Sequence, residues 1–156
     1  MYMKPAAKPI YLDVCALCRP YDDQSYHRIE METLAVVMII TFVKATSYTL
    51  YYAPAHEREL ARNTDDAERT EILKLLYDYG HNAALKIKDY TVLESRAAEL
   101  SLYGLGPADS FHVAYAEAVG ASFITCDDVL IRKYSRCQVR VWYGTPIDYC
   151  KKDGLL

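Results

Sequence analysis

Short, dense apolar runs alternate along this chain with longer stretches in which apolar residues recur at helical spacing. Ile10 to Val14 reads as a strand of β-branched and aromatic residues opening a sheet near the N-terminus. Cys18 to Gln24 is a polar loop punctuated by Pro20. From Ser25 to about Lys44, Ile29, Leu34, Val37, Met38 and Phe42 predict a helix mostly covered by its neighbours. Thr46 to Tyr52 returns to strand character. Pro54 suits the first turn of a helix, which Asn63-Thr64-Asp65-Asp66 interrupts before a second helix from about Ala67 to Tyr79. Gly80-His81-Asn82 reads as a turn before a third short strand near Lys86 to Asp89. Asp89 or Thr91 caps a helix ending near Tyr103. Gly106-Pro107 starts another, which Gly120 stops. Ser122 to Cys126 is a strand, Asp128 to Tyr134 a short helix and Val139 to Trp142 a last strand. Strands alternating with helices predict a three-layer α/β/α domain with a mainly parallel central sheet.

Composition narrows the class. A chain of 156 residues, 52% hydrophobic and 25% charged, is globular and expected to form one domain over residues 1–156. Its formal charge of -3 argues against tight, sequence-indifferent nucleic-acid binding without assistance. The longest apolar run, Leu34 to Val43, is about half a membrane span, and Met1 to Pro9 lacks the apolar stretch of a leader. The expectation is a cytoplasmic protein with no membrane association. Five cysteines, an odd count, fit a reducing compartment better than a disulfide framework.

Four carboxylates add chemistry to this frame. Asp13 follows a strand, Glu59 lies in the helix that Pro54 opens, Asp109 leads the helix after Gly106-Pro107, and Asp127 follows another strand. Strand ends on one edge of a parallel sheet converge on a common crevice. Acids gathered there repel one another unless a hard cation neutralises them, and Mg²⁺ or Mn²⁺ prefers such oxygen ligands. Singly, each acid has a structural explanation as a strand end, a helix cap or a solvated charge. Their joint placement points to a metal-dependent phosphodiesterase.

The order of these blocks resembles the PIN-domain family, which includes the VapC-type toxin ribonucleases. Ile10-Tyr11-Leu12-Asp13, Glu59, the run from Gly106 to Ala114 and the run from Ala121 to Asp128 carry the resemblance. It extends to Val139-Arg140-Val141-Trp142 and Thr145-Pro146-Ile147. Arg19 to Gln24 looks like a bacterial subgroup of that family. The resemblance implies Asp13, Asp109 and Asp127 as ligands of Mg²⁺ or Mn²⁺, with Glu59 binding directly or through water. It gives Thr125 as the accompanying hydroxyl. Glu57 rivals Glu59, and the two lie about 200° apart around a helix, so only one faces the crevice. Val14 departs from the pattern, since a hydroxyl residue usually follows the first acid. The implied activity is cleavage of single-stranded RNA. The implied partners are an antitoxin protein and a second copy of the chain.

Several residues keep two readings. Cys15 and Cys18 form a lone C-x-x-C without further zinc ligands at a familiar spacing, and Cys15 is expected to point into the sheet core. His112 is a packing histidine or a contact to Asp109, three residues before it. Tyr48, Tyr51 and Tyr52 are buried or interface residues, or stacking surfaces for bases. Arg19, Arg58, Arg62 and Lys44 are phosphate contacts or solvated charges. Two rival functions remain: a non-catalytic RNA- or protein-binding module with the same acidic pocket, and a phosphatase or receiver-type domain using Asp13 as phosphoacceptor. The last lacks the second acid two residues on, where Cys15 stands.

Overall fold

The computed structural model describes residue 3 and residues 5–156, so that Met1, Tyr2 and Lys4, part of the expected leader-free N-terminus, lie outside the described residues. Five strands form one sheet: β1 (Lys8–Leu12), β2 (Tyr48–Tyr52), β3 (Gly80–Asn82), β4 (Ser122–Ile124) and β5 (Tyr143–Gly144). Their order is β3-β2-β1-β4-β5, and every pairing is parallel. The helices are α1 (Val14–Cys18), α2 (His27–Lys44), α3 (Pro54–Leu60), α4 (Asp66–Tyr79), α5 (Tyr90–Leu102), α6 (Pro107–Ala118), α7 (Asp128–Tyr134) and α8 (Pro146–Lys152). Arg19–Tyr21 and Ala83–Lys86 are single 3-10 turns.

Alternate strand residues feed two cores, as the two-residue period of a strand requires. Ile10, Leu12, Leu50 and Ile124 pack with Val36 and Ile39 of α2, Leu76 of α4 and Tyr149 of α8. Tyr11 and Phe123 pack on the other face with Leu100 of α5, Val113 of α6 and Tyr134 of α7. Both faces are therefore covered, which is why the central strands read as unbroken apolar runs. The expected three-layer α/β/α architecture is the one observed, and its sheet is wholly parallel.

The structure corrects several element boundaries. The third strand is Gly80–Asn82, and Lys86 to Asp89 forms no strand. A Cβ at Gly80 would lie 2.5 Å from the Leu76 carbonyl oxygen and 2.9 Å from the Tyr52 ring, so the chain enters β3 where only glycine fits. The last strand is Tyr143–Gly144 and not Val139 to Trp142, although the Trp142 carbonyl still accepts from Phe123 N–H at 2.8 Å. An additional helix, α8, follows, started by a reciprocal capping box between Thr145 and Asp148. The polar loop after Cys18 contains a 3-10 turn. In α2 the covered face is Glu32, Ala35, Val36, Ile39 and Val43, whereas Leu34 and Val37 are 57% and 50% exposed. Among the described residues no helix is long and apolar enough to cross a membrane.

The strand order reverses beside β1: β2 and β3 lie to one side, β4 and β5 to the other. Chain segments leaving β1 and β4 turn away from each other there and open a crevice beyond their C-terminal ends.

Candidate active site

Asp13 is the first residue beyond β1. Its backbone N–H donates to the Ile124 carbonyl at 2.8 Å, which ties the end of β1 to β4. Its side chain caps α1: Oδ1 accepts from Val14 N–H at 2.8 Å. Oδ2 accepts from the Thr125 hydroxyl at 2.8 Å and from the Cys15 thiol at 3.4 Å. The carboxylate is 4% exposed. Thr125 Oγ1 in turn accepts from Asp127 N–H at 3.1 Å, so one buried hydroxyl sets the relation between two acids. Asp127 caps α7, with Oδ1 accepting from Val129 and Leu130 N–H at 3.0 and 3.1 Å.

Cys15 is half-buried against the core, as expected, and its sulfur also faces the acids. Its sulfur accepts from Cys126 N–H at 3.4 Å and lies 3.2 Å from Thr125 Oγ1. The contact with Cys126, burial and the charge of Asp13 raise its pKa far above that of an ordinary thiol, so it remains a protonated donor to Asp13. Val14, where a hydroxyl was expected, packs in the core. All five cysteines are free, and the Cys18 thiol is pushed up to about 12 mainly by burial.

Glu59 reaches the crevice from α3, while Glu57 turns away to accept from Tyr77 O–H at 2.8 Å. Between the two, the helix geometry thus places Glu59 at the site. Glu59 Oε2 accepts from His112 Nε2 at 2.8 Å, and His112 Nδ1 lies 2.6 Å from the Tyr11 hydroxyl. Burial first, then the charge of Asp13, holds the Tyr11 pKa well above its ordinary value, so the phenol keeps its proton. Burial lowers the His112 pKa, but the bond to Glu59 and the charges of Asp13, Glu59 and Asp109 outweigh it, and the net direction is upward. His112 therefore bonds Glu59, not Asp109, and orients one carboxylate oxygen.

A second buried histidine braces this relay. His56 Nδ1 accepts from Ala53 N–H at 3.0 Å, and its Nε2–H donates to the Leu12 carbonyl at 2.7 Å. Burial and the neighbouring His112 drive its pKa down to about 3, so it stays neutral. Its ring lies 4.7 Å from that of Tyr11 and 4.8 Å from that of His112. Sequence reasoning missed His56 and Tyr11. For His56 the local signal is a polar group three residues after Ala53, where it returns a bond to the start of α3.

Asp109 stands in the first turn of α6. Burial, then the charges of Asp13 and Asp127, raise its pKa to about 6, with His112 partly offsetting them. Neighbouring negative charge thus adds to burial in raising Asp109. Donor atoms of Asp13, Glu59 and His112 lie within 4.8 Å of one another, a spacing at which one ion can be shared. Asp109 and Asp127 fall outside that trio but act on the same space, as the pKa of Asp109 records. The donor set is oxygen-rich with one imidazole. It fits a divalent ion of the Mg²⁺ or Mn²⁺ type.

The expected cations divide. Arg19 is engaged, with Nη1 2.9 Å from Asp22 and Nη2 3.3 Å from Glu32. Lys44, at the opposite edge of the sheet, lies 5.3 Å over the Tyr79 ring. Arg58 and Arg62 are exposed and line a cavity that also reaches Glu59. The tyrosines of β2 pack: the Tyr48 hydroxyl donates to Asp153, Tyr51 faces His81 and Tyr52 faces Tyr77.

A wholly parallel α/β sheet with acids crowded at its switch point defines an open α/β domain with a cation-ready crevice. Residues 10–135 match the family described as the PIN domain, and the chain belongs to that family. Its fold is similar to that of VapBC2 from Rickettsia felis, solved bound to a DNA fragment from their promoter. That match has 15% identity and a TM-score of 0.53, over 88% of this chain and 98% of that one. FitAcB from Neisseria gonorrhoeae is similar at 14% identity and a TM-score of 0.49, over 88% of this chain and 98% of that one. No curated protein matches the sequence.

Proposed function

We propose that this PIN-domain protein is a metal-dependent endoribonuclease that hydrolyses single-stranded RNA. The observation that carries the reading is the acidic crevice, in which burial first and then the charges of Asp13 and Asp127 raise Asp109 to about 6 beside Glu59. Asp13, Asp109 and Asp127 would hold Mg²⁺ or Mn²⁺, with Glu59 binding directly or through water. When bound, the ion lowers the pKa of water and stabilises charge on phosphate oxygens. The chain's own contribution is preorganisation. Thr125 and Cys15 hold Asp13 Oδ2. The bonds from Val129 and Leu130 hold Asp127. His112, pinned by Tyr11, holds Glu59.

The reading extends to partners. As in the VapC-type members that the sequence resembles, it includes an antitoxin protein and a homodimer.

Asp13→Asn and Asp109→Asn, assayed on single-stranded RNA with Mg²⁺ or Mn²⁺, test it. Each variant is expected to lose most of the cleavage, about a hundredfold or more, because each removes stabilisation of developing charge. Undiminished cleavage by both variants rules out these roles. Metal binding without cleavage by the parent chain turns the reading into that of a non-catalytic module.

A further inference from the structure

A cavity of about 330 Å³ lies between α3 and the start of α6, immediately beside the acidic crevice. Glu59 is common to both, so whatever fills the cavity lies next to the acids. Arg58 in α3 and Arg62, in the turn just beyond its end, both line this cavity. Among the described residues neither guanidinium group forms an ion pair within 4.0 Å or a hydrogen bond, although Glu57 and Glu59 are neighbours in sequence and the Arg62 backbone N–H donates to the Glu59 carbonyl at 3.1 Å. Two fully charged guanidinium groups are thus unspent in a chain of net charge -3. Across from them is Phe111, half-buried on α6, and the remaining walls include the small residues Ala55 and Ala108.

We propose that this cavity is a subsite for one unstacked nucleotide of single-stranded RNA, with Arg58 and Arg62 gripping its phosphate and Phe111 receiving the face of its base. The proposal rests on the reading of the adjacent acids as an RNA-cleaving centre. The volume is at the small end for ligand pockets, which suits one nucleotide and excludes a paired helix. Guanidinium groups match phosphate oxygens in a fixed fork, and an aromatic face accepts any base. The division of labour is electrostatic. A negative floor recruits the cation, and a positive rim beside it holds the flanking phosphate that the floor alone would repel.

The test separates binding from cleavage. A fluorescein-labelled single-stranded oligouridylate is titrated by polarisation into the Asp109→Asn chain with Mg²⁺ over a range of salt. The same titration is repeated with Arg58→Gln/Arg62→Gln and with Phe111→Ala added. Losing the grip on this one phosphate is expected to flatten the slope of log affinity against log salt by about 0.7. Phe111→Ala is expected to weaken binding roughly tenfold with the slope unchanged, and Phe111→Trp to restore it. A blunt-ended RNA duplex is expected to be insensitive to Phe111→Ala. In the cleaving chain, Arg58→Gln/Arg62→Gln is expected to raise KM far more than it lowers kcat. Unchanged affinity and slope in both variants, with cleavage by the parent intact, overturn the subsite and leave the nuclease reading standing. Lost binding in the variants, with no cleavage by the parent under any metal, sinks the nuclease reading and keeps the subsite as an RNA-binding site.

Discussion

Asp109 sits half-buried among other acids, and its proton makes that measurable. Burial and the charges of Asp13 and Asp127 lift its pKa to about 6. A carboxyl raised in the folded state binds its proton more tightly there than in the unfolded chain. The metal-free protein therefore loses stability as pH rises from the ordinary carboxylate range through about 6. Asp109→Asn should melt higher than the parent at pH 7 to 8 without metal, and the difference should vanish below about pH 4, where Asp109 of the parent is protonated in both the folded and the unfolded chain. Thermal unfolding over that range checks it, and a variant that melts lower at pH 8 refutes the origin given for the shift. Thr125 makes the second residue-scale prediction. Its buried hydroxyl serves both Asp13 and Asp127. Thr125→Val should cost about 1–3 kcal/mol in urea unfolding and weaken Mn²⁺ binding, whereas Thr125→Ser should retain both. Equal metal affinity in the valine variant would remove the hydroxyl from the account.

At the scale of elements, Gly80 governs the junction of α4 and β3. A methyl there would meet Leu76 backbone oxygen at 2.5 Å, and backbone cannot turn aside as a flexible side chain can. Gly80→Ala should destabilise the chain by about 1–3 kcal/mol, read from the midpoint of urea unfolding. A midpoint equal to the parent's would mean the junction relaxes freely. This junction also explains what the sequence leaves hidden. β1 and β4 are legible because Ile10-Tyr11-Leu12 and Phe123-Ile124 are buried on both faces and each run ends beside an acid. β3 is illegible because Gly80-His81-Asn82 has no apolar side chain and exists through backbone pairing with Leu50, Tyr51 and Tyr52. β5, two residues long, is held by the Phe123 and Thr125 N–H groups, and no local pattern marks it. α8 does have a local signal in Thr145-Pro146-Ile147-Asp148, a capping box that the expectation of a final strand obscured. The four carboxylates are readable as acids at element ends. The Tyr11–His112–Glu59 relay joins residues 101 and 53 positions apart, and His56 touches it only in three dimensions.

At the scale of the molecule, the crevice exists because the strand order reverses beside β1, which brings Asp13 and Thr125 together across 112 residues. Repulsion stored there should be relieved by a cation that binds only the folded chain. Mn²⁺ at a hundred times its dissociation constant should then add about 2.7 kcal/mol of stability. The gain should shrink as pH falls below about 6, because Asp109 takes up a proton in place of the ion. Calorimetric melting with and without Mn²⁺ at pH 5 and pH 7 measures both effects, and an equal gain at the two pH values would separate the ion from Asp109. The central claim, that one ion belongs among these acids, is tested most directly by anomalous diffraction from crystals soaked in Mn²⁺. A peak is expected within bonding distance of an Asp13 oxygen and of at least one of Glu59, Asp109 and Asp127. Well-ordered crystals that place manganese elsewhere, or nowhere, would contradict it.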